Sequence, residues 1–217
     1  DVLNPVLRKK LNKYLSKHGS DAQVRVGYGL TESTAASCLT PRFYYKEGSI
    51  GIPFPDTEYK IVRIGTTSEA KVNHDGEICI YGPTVMKGYL DEKEETANTL
   101  KRHSDGKVWL HTGDVGYINR SGIVFFKSRL KRIIVSSGYN IYPQYIEKVL
   151  NMHPAIETSI VIGIEHPYKV EVPKKWRYNK SNTTDLILHH FEGSGAGFPV
   201  YVNDNPLIIN VSILHPG

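Results

Sequence analysis

Between Glu58 and Phe126 short strand-like runs are separated by turn residues, and that spacing commits the stretch to paired strands. "EYKIVRI" alternates apolar and polar side chains, "NHDGE" is turn chemistry and "EICIYG" returns, so Glu58 to Gly82 reads as a hairpin. "WLHTGDVGYIN", the turn "RSG" and "IVFFKSR" form a second pair. Leu3, Leu7, Leu11, Tyr14 and Leu15 recur at helical spacing, which predicts an amphipathic helix from Asn4 to Lys17 with Pro5 at its first position. "DEKEETANTL" predicts a short exposed helix, and Pro143 opens another to about Asn151. "AQVRVG" reads as a strand with "YGLTES" at its end, and "LKRIIVSSGYNIYP" as a strand and Gly-bearing loop. "TSIVIGI" is a further strand.

The chain has 217 residues, enough for one large domain or two small ones. No run approaches ~18 apolar residues, so no transmembrane helix is expected. There is no signal-peptide pattern and no initiator Met, so the chain reads as part of a longer protein. Cys38 and Cys79 are far apart and in no metal spacing, which fits reduced core cysteines in a cytoplasmic protein. The histidines are scattered and are assigned no metal role. A net charge of +5 invites a phosphate-bearing partner. The basic residues are spread, without an arginine-rich arm, which favours a nucleotide or coenzyme over nucleic acid.

Three stretches carry candidate chemistry. In "YGLTES" the Tyr28 ring can stack on a base and Gly29 lets backbone approach a ligand. Thr31 can hydrogen-bond a phosphate, and Glu32 can hold Mg²⁺, which takes oxygen ligands shared with substrate phosphates. In "HTGDVGY" Asp114 can accept both hydroxyls of a ribose. In "KSRLKR" Arg129 can reach ribose or phosphate with its planar fork. Taken singly, each also reads as ordinary structure: a polar loop, a turn aspartate and a solvated basic face.

Their order narrows the reading. "YGLTES", "GEICIYGPTVMKGY", "TGDVGY" and "KSRLKRIIVSSGYNIYPQYIE" follow one another as in the adenylate-forming (AMP-binding) superfamily, and the chain resembles its acyl-CoA synthetases from about Asp1 to Lys174. The wording looks most like ligases of fatty or related acids. The resemblance implies an α/β fold with a β-rich subdomain. An incomplete large adenylate-binding domain (1–128) would be followed by the hinge and start of a small α+β C-terminal lid (129–174). It implies ATP/AMP, Mg²⁺ and coenzyme A as cofactors and co-substrate, with a small carboxylic acid as partner. Tyr28 and Gly29 would flank adenine, Thr31 would contact phosphate and Glu32 would hold the metal. Asp114 would bind ribose with Arg129 beside it. Lys131 falls at the hinge, and Gly138 and Tyr139 in the loop that approaches the coenzyme A thiol. The alternative is a non-catalytic module that binds AMP or acyl-adenylate.

The sequence departs from that family at three places. The Gly/Ser/Thr-rich phosphate loop is absent. Ser128 stands where a glycine usually precedes the ribose arginine, which predicts a less free tight turn. After "VIGIEHPYKVEVPK" the resemblance stops, and the late Gly-Lys motif has no counterpart in Lys174, Lys175 or Lys180. From Lys175 to Gly217 helical period and turn logic fade, so this tail is expected to be divergent and poorly ordered, and the isolated chain inactive.

Overall fold

The computed structural model describes residues 5–42, 44–153, 156–179, 198–202 and 205–209. The chain divides into two units, residues 1–130 and 131–217.

The first unit opens with α1 (Pro5–Lys17), whose Leu7, Leu11 and Tyr14 stay exposed. Strands β1 (Gly27–Leu30), β2 (Ala35–Leu39), β3 (Ser49–Pro53), β4 (Glu58–Val62) and β5 (Gly76–Tyr81) follow. Then come α2 (Lys93–Thr99), β6 (Leu100–Arg102), β7 (Val108–Ile118) and β8 (Val124–Arg129). They form one sheet ordered β1-β2-β3-β8-β7-β5-β4, with β6 also paired to β7. Both expected hairpins are present, β4 on β5 and β7 on β8. The turn of the second is pinned by Asn119, whose Oδ1 accepts from the N–H groups of Ser121 and Ile123. Successive residues of a strand face opposite sides. Ile78 packs with Ile50, Ile61 and Val124, and its neighbour Cys79 with Val62 and Trp109, so β5 has a core on each face. The charged helix α2 buries nothing.

The first strand differs from expectation. "AQVRV" stays outside any strand, and β1 ("GYGL") starts at Gly27 and runs through Tyr28–Leu30, residues expected to form the loop beyond the strand. A single 3₁₀ turn, Thr31–Ser33, folds the chain back so that β1 pairs with β2. Gly29 makes this possible: a Cβ there would lie 1.6 Å from the Ala35 carbonyl oxygen. The glycine is needed here for close approach of backbone to backbone.

The second unit contains β9 (Ile134–Ser136), β10 (Tyr139–Ile141), α3 (Pro143–Leu150), β11 (Ile156–His166) and β12 (Val170–Asn179), with strand order β10-β9-β12-β11. Ser137 and Gly138 both have positive φ, 49° and 82°, as the tightest hairpin turn requires. Pro143 starts α3, and Ile146, Val149 and Leu150 pack on Ile134, Ile156 and Val161. Glu147 is a local knot: its Oε1 accepts from Arg132 Nη2 at 2.6 Å and from the Val161 N–H at 2.8 Å. β12 continues through Asn179, with Lys175–Asn179 paired to Ile156–Val161. β13 (Phe198–Val202) and β14 (Asn205–Ile209) make a further hairpin. Residues 180–197 and 210–217 of the expected tail lie outside the described residues.

Candidate functional site

The site is built on an irregularity in β7. Cys79 pairs with His111 but Glu77 pairs with Val115, so two steps along β5 match four along β7. The surplus residues make a bulge around Thr112–Asp114, a device that re-aims side chains. Gly113 takes φ +68°, a left-handed conformation that favours glycine. The Thr112 hydroxyl donates to the Ile78 carbonyl at 2.7 Å and accepts from the Asp114 N–H at 3.1 Å. Glu77 holds the bulge from across the ladder. Its Oε1 accepts from the Gly113 N–H at 3.0 Å, and its Oε2 lies 2.8 Å from His111 Nδ1. Burial pushes the Glu77 carboxyl up, but the His111 hydrogen bond and charge and the Gly113 N–H outweigh it and hold the group below its ordinary value.

The bulge presents Asp114, whose side chain is 1% exposed. Tyr28 O–H donates to Oδ2 at 2.7 Å. Arg129, its register partner on β8, brings Nε to 2.9 Å from Oδ1. That contact is an ion pair without hydrogen-bond alignment: Oδ1 is buried with no hydrogen-bond partner among the described residues. Arg129 itself is 58% exposed. Burial raises the Asp114 pKa above its ordinary value, against the Tyr28 hydroxyl and the Arg129 charge. Burial and the Asp114 charge also push the Tyr28 hydroxyl up, so it remains a donor at neutral pH. The Tyr28 ring packs 6.3 Å from both Tyr59 and Phe126, which places its hydroxyl, rather than its face, at the carboxylate.

Thr31 and Glu32 lie on the turn that follows β1. Glu32 Oε1 accepts from the Tyr89 hydroxyl at 2.8 Å, and its carbonyl accepts from the Met86 N–H at 2.8 Å. The Thr34 hydroxyl donates to the Thr84 carbonyl, so the 82–89 segment straps this turn in place. The Thr31 residue is exposed. Ser128 occupies no tight turn. It is a fully buried β8 residue opposite Val115, with its hydroxyl donating to the Arg129 carbonyl, so no glycine is required there.

The fold thus brings Tyr28, Asp114 and Arg129 into one cluster, with Glu32 two residues past β1. Lys131, Gly138 and Tyr139 belong to the second unit. Lys131 is exposed in the 3₁₀ turn Leu130–Arg132, Gly138 sits in the β9–β10 turn, and Tyr139 starts β10 exposed. Glu77, His111, Thr112 and Tyr89 escaped the sequence reading. "HTGD" held two of them, but nothing in it revealed the Glu77 carboxylate across the sheet.

A family profile described as AMP-binding enzyme matches residues 1–90. Luciferin 4-monooxygenase of Nipponoluciola cruciata is 36% identical over 77% of this chain and 30% of its own length. Long-chain-fatty-acid–CoA ligase of Bacillus subtilis is 42% identical over 68% of this chain and 26% of its own. O-succinylbenzoate–CoA synthetase of Bacillus subtilis, solved with ATP and magnesium, superposes with a TM-score of 0.67 at 32% identity, over 79% of this chain and 34% of the other. With the motif order, the bulge-borne carboxylate and these relatives in agreement, the chain belongs to the adenylate-forming superfamily, as a segment spanning about 30% of the length of the relatives it matches.

Proposed function

We propose that this chain is part of an ATP- and Mg²⁺-dependent carboxylic acid–CoA ligase acting on fatty or related acids. The observation that carries the reading is Asp114: a buried carboxylate clamped by Tyr28 and Arg129, with one oxygen short of a hydrogen-bond donor. A buried acceptor in that state costs stability unless a donor arrives. The vicinal hydroxyls of a ribose supply two donors. Arg129, half outside, offers its charge to the phosphate beyond that ribose.

Glu32 fits a Mg²⁺ ligand, since the Tyr89 hydroxyl engages its carboxylate at Oε1 and hard carboxylate oxygen is what this ion takes. When bound, the ion would neutralise charge on the transferring phosphate. Thr31, exposed beside Glu32, donates to a phosphate oxygen. Adenylation converts the poor leaving group of a carboxylate into AMP, with pyrophosphate released. A coenzyme A thiol then attacks the acyl carbon, and AMP leaves. Lys131 is the hinge between the two steps, and Gly138 and Tyr139 line the thiol's approach. The two free cysteines, both buried, suit the reducing cytoplasm. The 217 residues carry neither the phosphate loop nor the late Gly-Lys motif, and by themselves do not form acyl-CoA.

The test is acid-dependent pyrophosphate release and acyl-CoA formation by the full-length protein, alongside AMP binding by the 217-residue chain. Loss of both activities on Asp114→Ala supports the reading. AMP binding without turnover in the full-length protein would favour the non-catalytic module. Acyl-CoA production by the short chain at the full-length rate overturns the inactivity.

A further inference from the structure

The other face of β5 holds a second cluster that the adenylate chemistry does not use. Cys79 on β5, His103 just after β6 and His111 on β7 each offer one ligand atom, and these lie within 4.8 Å of one another, all three residues being buried. A tetrahedral Zn²⁺ with bonds of about 2.0–2.3 Å spaces its donors by roughly 3.3–3.8 Å. The cluster is therefore near that span before any ion enters.

The donor chemistry is that of zinc: one thiol and two imidazoles. His111 is already oriented as a metal-binding histidine is, with Nδ1 on a carboxylate, Glu77 Oε2 at 2.8 Å, and Nε2 directed to the cluster. The two Nε2 atoms of His103 and His111 stand 3.0 Å apart. With Nδ1–H of neutral His111 given to Glu77, a single proton on His103 Nε2 joins the rings. The Nδ1 of His103 is then a lone pair. It is buried, on a residue 4% exposed, and has no hydrogen-bond partner among the described residues. If His111 instead carries two protons, His103 Nδ1 bears an N–H and is equally unpartnered. Neither tautomer satisfies the ring, so a buried polar atom of the cluster stays without a hydrogen-bond partner among the described residues.

We propose that Cys79, His103 and His111 form a buried Zn²⁺ site, with Glu77 as the carboxylate that orients His111. Binding forms one Zn–S bond, two Zn–N bonds through the Nε2 atoms and one Zn–O bond to water; the Cys79 thiol proton leaves to solvent, and the proton between the two Nε2 atoms moves to His103 Nδ1, which frees both Nε2 lone pairs for the ion. The ion ties β5, the segment after β6 and β7 together three residues before Asp114. It is separate from the Mg²⁺ site, and its test does not depend on ligase activity.

Chelator-stripped 217-residue protein is titrated with ZnCl₂ against a chromophoric chelator, and separately with CoCl₂ followed by absorbance. One equivalent of Zn²⁺ should bind, and Co²⁺ should give intense tetrahedral bands with a thiolate-to-cobalt charge-transfer band. X-ray absorption of the zinc-loaded wild type should report one sulfur and two imidazole nitrogens, which needs no variant to fold. Cys79→Ser should abolish the charge-transfer band, His103→Gln should weaken Zn²⁺ at least tenfold, and Glu77→Gln about tenfold. Cys38→Ser, away from the cluster, should leave both signals. Absence of sulfur from the zinc shell, or affinity indifferent to both Cys79→Ser and His103→Gln, overturns the proposal.

Discussion

Asp114 and Glu77 sit on neighbouring strands, yet their pKa values move in opposite directions. The raised pKa of Asp114 means that its charged form is disfavoured in the fold, so its contribution to stability is present at low pH and lost as pH rises past the ordinary aspartate value. The lowered pKa of Glu77 means the reverse: its contribution is present above the ordinary glutamate value of about 4.3 and lost as pH falls through the folded one. Asp114→Asn should therefore raise the melting temperature at pH 7 while abolishing AMP binding, measured by calorimetry with and without nucleotide. Glu77→Ala leaves His111 buried without its carboxylate and should cost about 3 kcal/mol at pH 7 in urea unfolding, with a smaller deficit below pH 4. Asp114 and Arg129 were legible as residues because "TGD" and "KSR" stand in the right order. The Glu77–His111 pair was not, because 34 residues separate partners that only the sheet brings together.

At the scale of elements, hairpins were legible where turn chemistry marked them. "NHDGE" and "NRSG" announced β4–β5 and β7–β8, and Pro143 announced α3. β1 and β2 were not. "AASCL" has no large apolar residue until its end, and a sequence cannot show that Ala35 fills the space of a Cβ at Gly29. Gly29→Ala should cost about 3 kcal/mol by overpacking and separate β1 from β2, displacing Tyr28 from Asp114. Chemical denaturation and loss of AMP binding would check both effects. An alanine tolerated there would remove the packing account. The Cys79–His103–His111 cluster was illegible for a related reason. Its members come from three stretches in no recognised metal spacing, and the β5–β7 register juxtaposes them.

For the whole molecule, the division after Leu130 falls within the 3₁₀ turn that holds Lys131. In the full-length protein Lys131→Pro should leave acid-dependent pyrophosphate release near wild type and cut acyl-CoA formation at least tenfold, because a fixed φ would oppose the proposed hinge movement. Equal loss of both would remove the hinge role. "KWRYN" lacks the family's wording, yet β11 supplies a complete ladder partner, and backbone pairing does not ask for family resemblance. The bulge in β7 has a consequence for how such chains can change length. Two surplus residues are absorbed between the His111 and Val115 pairs. Deleting both would restore an even ladder and withdraw the carboxylate into line. Deleting only one would turn every later β7 side chain to the opposite face, exchanging core for solvent. Natural variation in length at this point should therefore come in even steps.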